Sequence, residues 1–380
     1  MATMTARILD FFDRVPRWVY IALALAFAIA FPMLEYFGLI QTLWLRVGTR
    51  VLVYVLLAVG LNLVLGETGL LHLGYVAFFA VGAYSTALLS SPRFGLQWNF
   101  WVIIAIAMGL AMLFGFLIAV PTLRLRGDYL AIVTLAFGEI TRMTLNNWES
   151  LTNGPGGIPG IYPPVIFGWT VDSPMEFFYL LLVAVVIIVS LLNNIKNSRI
   201  GRAWNALRED EIAAHHSGVR PTHAKMLAVV MSSGIAGLAG AIFAYYQQFI
   251  NPTYFLFMQS VIVVSMVVLG GMGSIPGAIL GAVVLDATPE VIRQAFTSWL
   301  PSAVGPNFLP GVQAAMQTEF DRYRMAIFGL VIVLMVVFRP EGLLPNKLWR
   351  REVHEEDPRE LEKTSQHLFD FEEGKQDLEV

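Results

Sequence analysis

The side chains most able to do chemistry are concentrated in residues 198–225, where Arg202, Arg208, Glu209, Asp210, Glu211, His215, His216 and Lys225 stand among small residues. Charged groups at this density make strong, directional hydrogen bonds with an opposing surface. Alanines at 206, 213 and 214 let a helix settle closely into a groove on another protein. Helix formers fill 205–217, Gly218 is placed as a C-terminal stop, and Pro221 follows just beyond. A helix lying on lipid would want a stronger basic face and bulkier apolar anchors than Glu209, Asp210 and Glu211 allow. The segment therefore reads as a docking handle for a protein partner.

Ionisable and polar residues inside apolar runs form the second group, since each is costly in hydrocarbon. Glu139 and Arg142 lie three apart on one helical face and are expected to pair. Glu35 and Asp286 are expected near span ends or cavities, and Asn62, His72 and Gln247 to be satisfied by bonds between helices. His72 has no second ligand at metal spacing on its segment. There is no phosphate-binding loop with its lysine, no His-Glu-x-x-His and no Gly-x-Ser-x-Gly, so nothing points to hydrolysis by the chain itself. The count of 0 cysteines excludes disulfides, thiolate metal sites and a cysteine nucleophile.

These groups must be carried by a membrane scaffold. The 380 residues are 56% hydrophobic and 14% charged, against roughly a quarter charged in a soluble domain. Apolar runs of near-bilayer length recur at about ten places: 18–37, 47–65, 70–89, 100–120, 129–145, 177–192, 227–246, 259–269, 277–292 and 325–338. The expected fold is thus an all-α polytopic membrane protein with about ten transmembrane helices. Its parts are a 1–17 N-terminal tail, an 18–345 transmembrane domain containing the 193–225 segment, and a 346–380 acidic tail whose composition points to disorder. The first run lacks a cleavage site and is expected to be retained as a span.

Lysine and arginine accumulate on the cytoplasmic side of membrane proteins. With the N-terminus inside, one set of loops collects Arg7, Arg14, Arg17, Arg124, Arg126, Lys196, Arg199, Arg202, Arg208, Arg220, Lys225, Arg339, Lys347, Arg350 and Arg351. The other set has mainly Arg46, Arg93, Arg322 and Arg324. Both termini and the docking segment are expected to be cytoplasmic.

Two glycine-rich interruptions, 66–74 and 270–277, each follow a Val-Leu pair on that side. Either they are broken helices whose loose backbone lines a pathway, or they are tight turns between neighbouring spans. A third cluster, 152–160, is expected to be a rigid, non-helical platform in the long outside loop.

Residues 212–218, Ile-Ala-Ala-His-His-Ser-Gly, are similar to the Glu-Ala-Ala-x-x-x-Gly motif of ABC importer permeases, with Ile212 in place of the glutamate. From about 51 to 345 the chain resembles the LivM type of branched-chain amino acid ABC transporter permease. The resemblance is carried by 60–71, 123–140, 151–158 (Leu-Thr-Asn-Gly-Pro-Gly-Gly-Ile), 202–214, 269–274 (Leu-Gly-Gly-Met-Gly-Ser) and 338–344 (Phe-Arg-Pro-Glu-Gly-Leu-Leu).

The resemblance implies a type II ABC importer fold in a cell inner (plasma) membrane. It also implies a LivH-like sister permease as heterodimer partner, two ABC ATPase subunits and an external substrate-binding protein. ATP and magnesium would be held by the ATPases, with no cofactor in this chain and no nucleic acid. Coupling to the ATPases is assigned to Arg202, Glu209, Glu211, Ala213, Ala214 and Gly218, and the translocation pathway to Asn62, Thr134, Glu139, Gly270 and Gly273. Urea or a short amide is the alternative cargo, and a stand-alone ion-coupled transporter the alternative class.

Overall fold

The computed structural model describes residues 17–38, 41–92, 98–123, 125, 127–299, 326, 328–330, 333–334, 337 and 342–344. The acidic tail, most of the N-terminal tail and half of the tenth expected span fall outside them.

Twelve α-helices carry the described chain as far as Gln294: α1 (Arg17–Tyr36), α2 (Thr42–Thr68), α3 (Val76–Ser90), α4 (Phe100–Thr122), α5 (Asp128–Asn147), α6 (Glu149–Thr152), α7 (Pro174–Lys196), α8 (Arg199–Glu209), α9 (Glu211–His216), α10 (Pro221–Gln247), α11 (Phe257–Gly270) and α12 (Ile275–Gln294). Among the described residues, five helices are long and apolar enough to cross a bilayer: α2, α4, α7, α10 and the α12 helix continued to Ser298. Among the described residues, strands are confined to two antiparallel pairs of two residues each. β1 (Ile158–Pro159) pairs with β4 (Phe249–Ile250), and β2 (Val165–Ile166) forms a hairpin with β3 (Trp169–Thr170).

The centre of the bundle is α2. From Val55 to Thr68 every residue is buried, as an all-round apolar helix requires. Helices α7, α10, α11 and α12 pack on it, and α10 also lies along α3 and α4. The contacts between α10 and α3 are made by backbone. A Cβ on Gly240 would lie 2.1 Å from the Phe79 carbonyl oxygen, and one on Gly82 2.1 Å from that of Gly237. With lipid as apolar as leucine, helices associate by such close approach of small residues.

Helix α3 starts six residues later than the apolar run that encodes it, because 69–75 leave α2 as a turn and run back against it. The Tyr75 hydroxyl reaches the Ser232 carbonyl at 3.2 Å, and the Ser232 hydroxyl bonds the Gly60 carbonyl at 2.6 Å, two turns above the end of α2. At 15 and 14 residues, α3 and α11 are too short to span. Their first turns meet, the Val76 N–H donating to the Ser260 hydroxyl at 3.2 Å.

The 152–160 cluster departs from its non-helical expectation in one detail: Gly154–Gly156 forms a single 3-10 turn. Pro155 presets the φ that such a turn needs.

Candidate functional site

The docking segment is two helices, not one. Ser198 caps α8 by accepting from the Ile200 N–H at 3.1 Å, so the helix starts earlier than the propensity around 205 suggests. Gly201, Trp204 and Leu207 recur every third residue and are buried. Trp204, fully enclosed, donates from its indole to the Ala224 carbonyl at 2.8 Å. Asp210 breaks the run in an extended conformation and caps α9, accepting from Ile212 and Ala213 N–H at 2.7 and 3.0 Å.

Of the six coupling candidates, Arg202, Glu209, Ala213 and Gly218 are exposed. Arg202 donates to the Asn197 carbonyl at 3.3 Å. Glu211 pairs with Lys225 at 2.8 Å, and Ala214 is the buried residue on which α9 sits. Gly218, at φ +89°, ends the segment where a side chain would be strained. The α9 surface is thus an outward ridge, with Ile212 67% exposed beside Ala213, His215 and His216. Asp210→Ala should cost about 1 kcal/mol by removing the cap. The readout is faster amide exchange at Ile212 and Ala213, with the Trp204 region unchanged.

Beneath that ridge the segment grips both glycine-rich turns. Arg208 donates to the Gly66 carbonyl, one of the last-turn acceptors that α2 cannot satisfy itself. Lys196, at the end of α7, bonds Glu67 at 2.5 Å and also the Gly273 carbonyl. The Gly273 N–H donates to the Asn62 carboxamide at 2.9 Å. A Cβ on Gly66 would fall 2.3 Å from the Gly273 nitrogen. Gly273 itself holds φ +76°, and residues 343 and 344 close the turn from outside, donating to the Leu269 and Gly270 carbonyls at 2.9 Å each. One node therefore joins α2, α7, α8 and the α11–α12 turn.

The pathway candidates divide accordingly. Asn62, Gly270 and Gly273 meet at the node. Thr134 holds the other glycine loop, accepting from the Leu73 N–H at 3.1 Å. Glu139 stands apart, paired with Arg142 at 2.9 and 3.1 Å as its spacing implied. His72 departs from expectation: both ring nitrogens are buried without a hydrogen-bond partner among the described residues, and the ring lies 5.2 Å from Phe78.

A cavity of about 300 Å³ opens where α3 and α11 begin. Its walls are largely apolar, with Leu57, Phe79, Phe243 and Ile262 prominent, and its polar side chains are Arg50, Gln247, Gln259 and the two tyrosines Tyr54 and Tyr254. The Tyr54 hydroxyl donates to the Gln259 carboxamide at 2.9 Å. Arg50 is held by buried Asp286 through Nε, at 3.2 and 2.9 Å to the two carboxylate oxygens. Linear spacing does not reveal Glu67, Lys196, Arg50 or Gln259 as site residues. Their one signal is being charged or amide groups within or at the ends of apolar runs. Among the described residues, no group of three or more His, Cys, Asp or Glu is placed to hold a metal.

The model of the family described as "Branched-chain amino acid transport system / permease component" matches residues 43–336. The chain is similar to the high-affinity branched-chain amino acid transport system permease protein LivM of Escherichia coli (strain K12), 38% identical over 356 residues, covering 87% of this chain and 76% of the relative. It is also similar to the corresponding LivH permease protein of Salmonella typhimurium, 28% identical over 306 residues, with 77% and 91% covered. A probable branched-chain amino acid transport permease protein LivM of Methanocaldococcus jannaschii is 25% identical over 285 residues, with 71% and 74% covered. No solved structure matches the chain.

Proposed function

This chain belongs to the family of permease components of branched-chain amino acid transport systems, and from that premise we propose how it couples ATP hydrolysis elsewhere to movement of its cargo. It is a multi-pass, non-catalytic membrane subunit of an ABC transport system. Its partners are a LivH-like sister permease, with which it forms the pathway, two ABC ATPases that hold ATP and magnesium, and an external binding protein that delivers substrate. The ten-span, type II importer arrangement with both termini cytoplasmic agrees with the distribution of lysine and arginine.

The α9 ridge docks in a cleft on one ATPase. Closure of the ATPases displaces α9 and, through Arg208 and Lys196, bears on Gly66, Glu67 and Gly273. The α11–α12 turn then carries α11 and α12 against α3 and α10 between an outward-open and an inward-open arrangement, the nucleotide state selecting one by its differential affinity. The observation that carries this reading is the node, in which charged side chains at the ends of α7 and α8 bond directly to both glycine-rich turns. The apolar cavity wall favours branched side chains over urea, which would want a narrow polar path.

The test is uptake into proteoliposomes holding both permeases, both ATPases and the binding protein. Leucine uptake is expected to need ATP and every partner. Ala213→Trp, on the exposed ridge, should lower uptake roughly tenfold or more and release the ATPase on purification. Uptake by this chain alone, driven by an ion gradient and indifferent to the substitution, would sink the reading.

A further inference from the structure

We infer that the cavity between α2, α3, α10 and α11 is a way-station for the transported amino acid, with Arg50 receiving its carboxylate and the apolar wall its side chain. The inference rests on the cargo being a branched-chain amino acid, as above.

Four observations converge on it. The volume, about 300 Å³, falls at the small end of ligand sites, which run from about 300 to 1,000 Å³. The walls supplied by Leu57, Phe79, Phe243 and Ile262 suit an aliphatic branch and offer it little else. Arg50 is the cationic group lining the cavity, and it is bonded to Asp286 through Nε alone, so its Nη donors carry no hydrogen bond among the described residues. A planar guanidinium can grip one carboxylate along one edge and a second along another. The fourth observation is position: α3 and α11 both begin at the cavity, and the positive ends of their dipoles add to the attraction for an anion.

Asp286 has a defined part in this arrangement. It is enclosed, and its pairing with Arg50 through Nε neutralises the guanidinium and keeps it aimed. An arriving carboxylate shares the guanidinium without displacing that partner. The Gln259 carboxamide, oriented by Tyr54, presents an oxygen that can accept from the ammonium. Such a site binds loosely, as a pathway must if cargo is to leave it.

The chain has 0 cysteines, so Gln247→Cys places a single thiol in this subunit, on the cavity wall. The complete transporter carrying it is reconstituted in vesicles and labelled with a small charged thiol reagent, the label being read by the mass of this subunit. Probes are leucine, leucinamide and leucinol, of which only the first has a carboxylate. Leucine is expected to protect the thiol at about tenfold lower concentration than either analogue, the value of a hydrogen bond to a charged group. In Arg50→Gln/Asp286→Asn, which removes both charges and avoids stranding a buried carboxylate, that preference should vanish, whereas Arg50→Lys should keep part of it. Equal protection by leucine and leucinamide, or a preference that survives the double substitution, overturns the assignment. If the double variant does not assemble, the comparison of probes on the Arg50 protein decides alone. ATP-driven leucine uptake by the same vesicles separates the two readings. Uptake without carboxylate-dependent protection removes the way-station and leaves the transporter, and absence of uptake removes the transporter.

Discussion

Lys196→Met should lower the stability of the protein by about 3–5 kcal/mol, the cost of stranding one member of a buried ion pair. Glu67 has a side chain only 5% exposed and already has one carboxylate oxygen without a partner among the described residues, so little solvent can replace the lost ammonium. The same substitution removes the Lys196 bond to the Gly273 carbonyl, which loosens the α11–α12 turn from α7. The measurement is unfolding in mixed micelles. Glu67→Gln/Lys196→Met should recover most of the loss, because a neutral pair needs no counter-charge. Coupling should not recover with it: the double variant should hydrolyse ATP with a much smaller dependence on substrate, since the tie between α7 and the turn is still missing. A double variant as unstable as the single one would show that the ion pair is not the source of the loss.

Gly240→Leu should be more damaging than ordinary overpacking, which costs about 1–3 kcal/mol. The added Cβ would meet the Phe79 carbonyl oxygen at 2.1 Å and the Ala83 nitrogen at 2.8 Å, both backbone atoms that cannot swing aside. Helices α3 and α10 must separate along their length, and the protein should fail to accumulate or melt well below the parent in detergent. Gly109→Leu is the matched control. Its Cβ meets nothing within 4 Å, the position is exposed on α4, and the melting temperature should hardly change.

Much of this architecture can be read from the chain before folding. Apolar runs of near-bilayer length locate α2, α4, α7 and α10 because hydrocarbon thickness sets the length of a span directly. The Glu139–Arg142 pair is legible because helix geometry brings residues three apart together. Gly218 as the stop of the docking segment is legible because few other residues adopt its φ. The re-entrant 69–75 segment is less so: Leu70, Leu71 and Leu73 extend the apolar run, and only Gly69 and Gly74 mark the break. The interruption of the docking segment at Asp210 is hidden for a related reason, since aspartate inside a charged run looks like solvated surface until it is seen to cap.

The long-range pairs are not legible at all. Lys196 and Glu67 are 129 residues apart, and Arg50 and Asp286 are 236 apart. No periodicity connects such positions, because the order in which helices are stacked is decided by packing and not by local propensity. A Val-Leu pair before each of the two glycine-rich turns marks them as alike in sequence. That they touch through Asn62 and Gly273 is a fact of the fold alone.

The glycine seams along α10 also determine what stays still. Where backbone lies on backbone there is no layer of side chains whose rotamers could absorb a small slide, so α3 and α10 behave as one casting. Relative motion is left to surfaces held by exchangeable polar contacts, and these are found where Lys196 of α7 and Arg208 of α8 reach the end of α2 and the α11–α12 turn. Shear is therefore partitioned within a single subunit, the glycine seams fixing the frame and a handful of charged side chains forming the latch that slides against it.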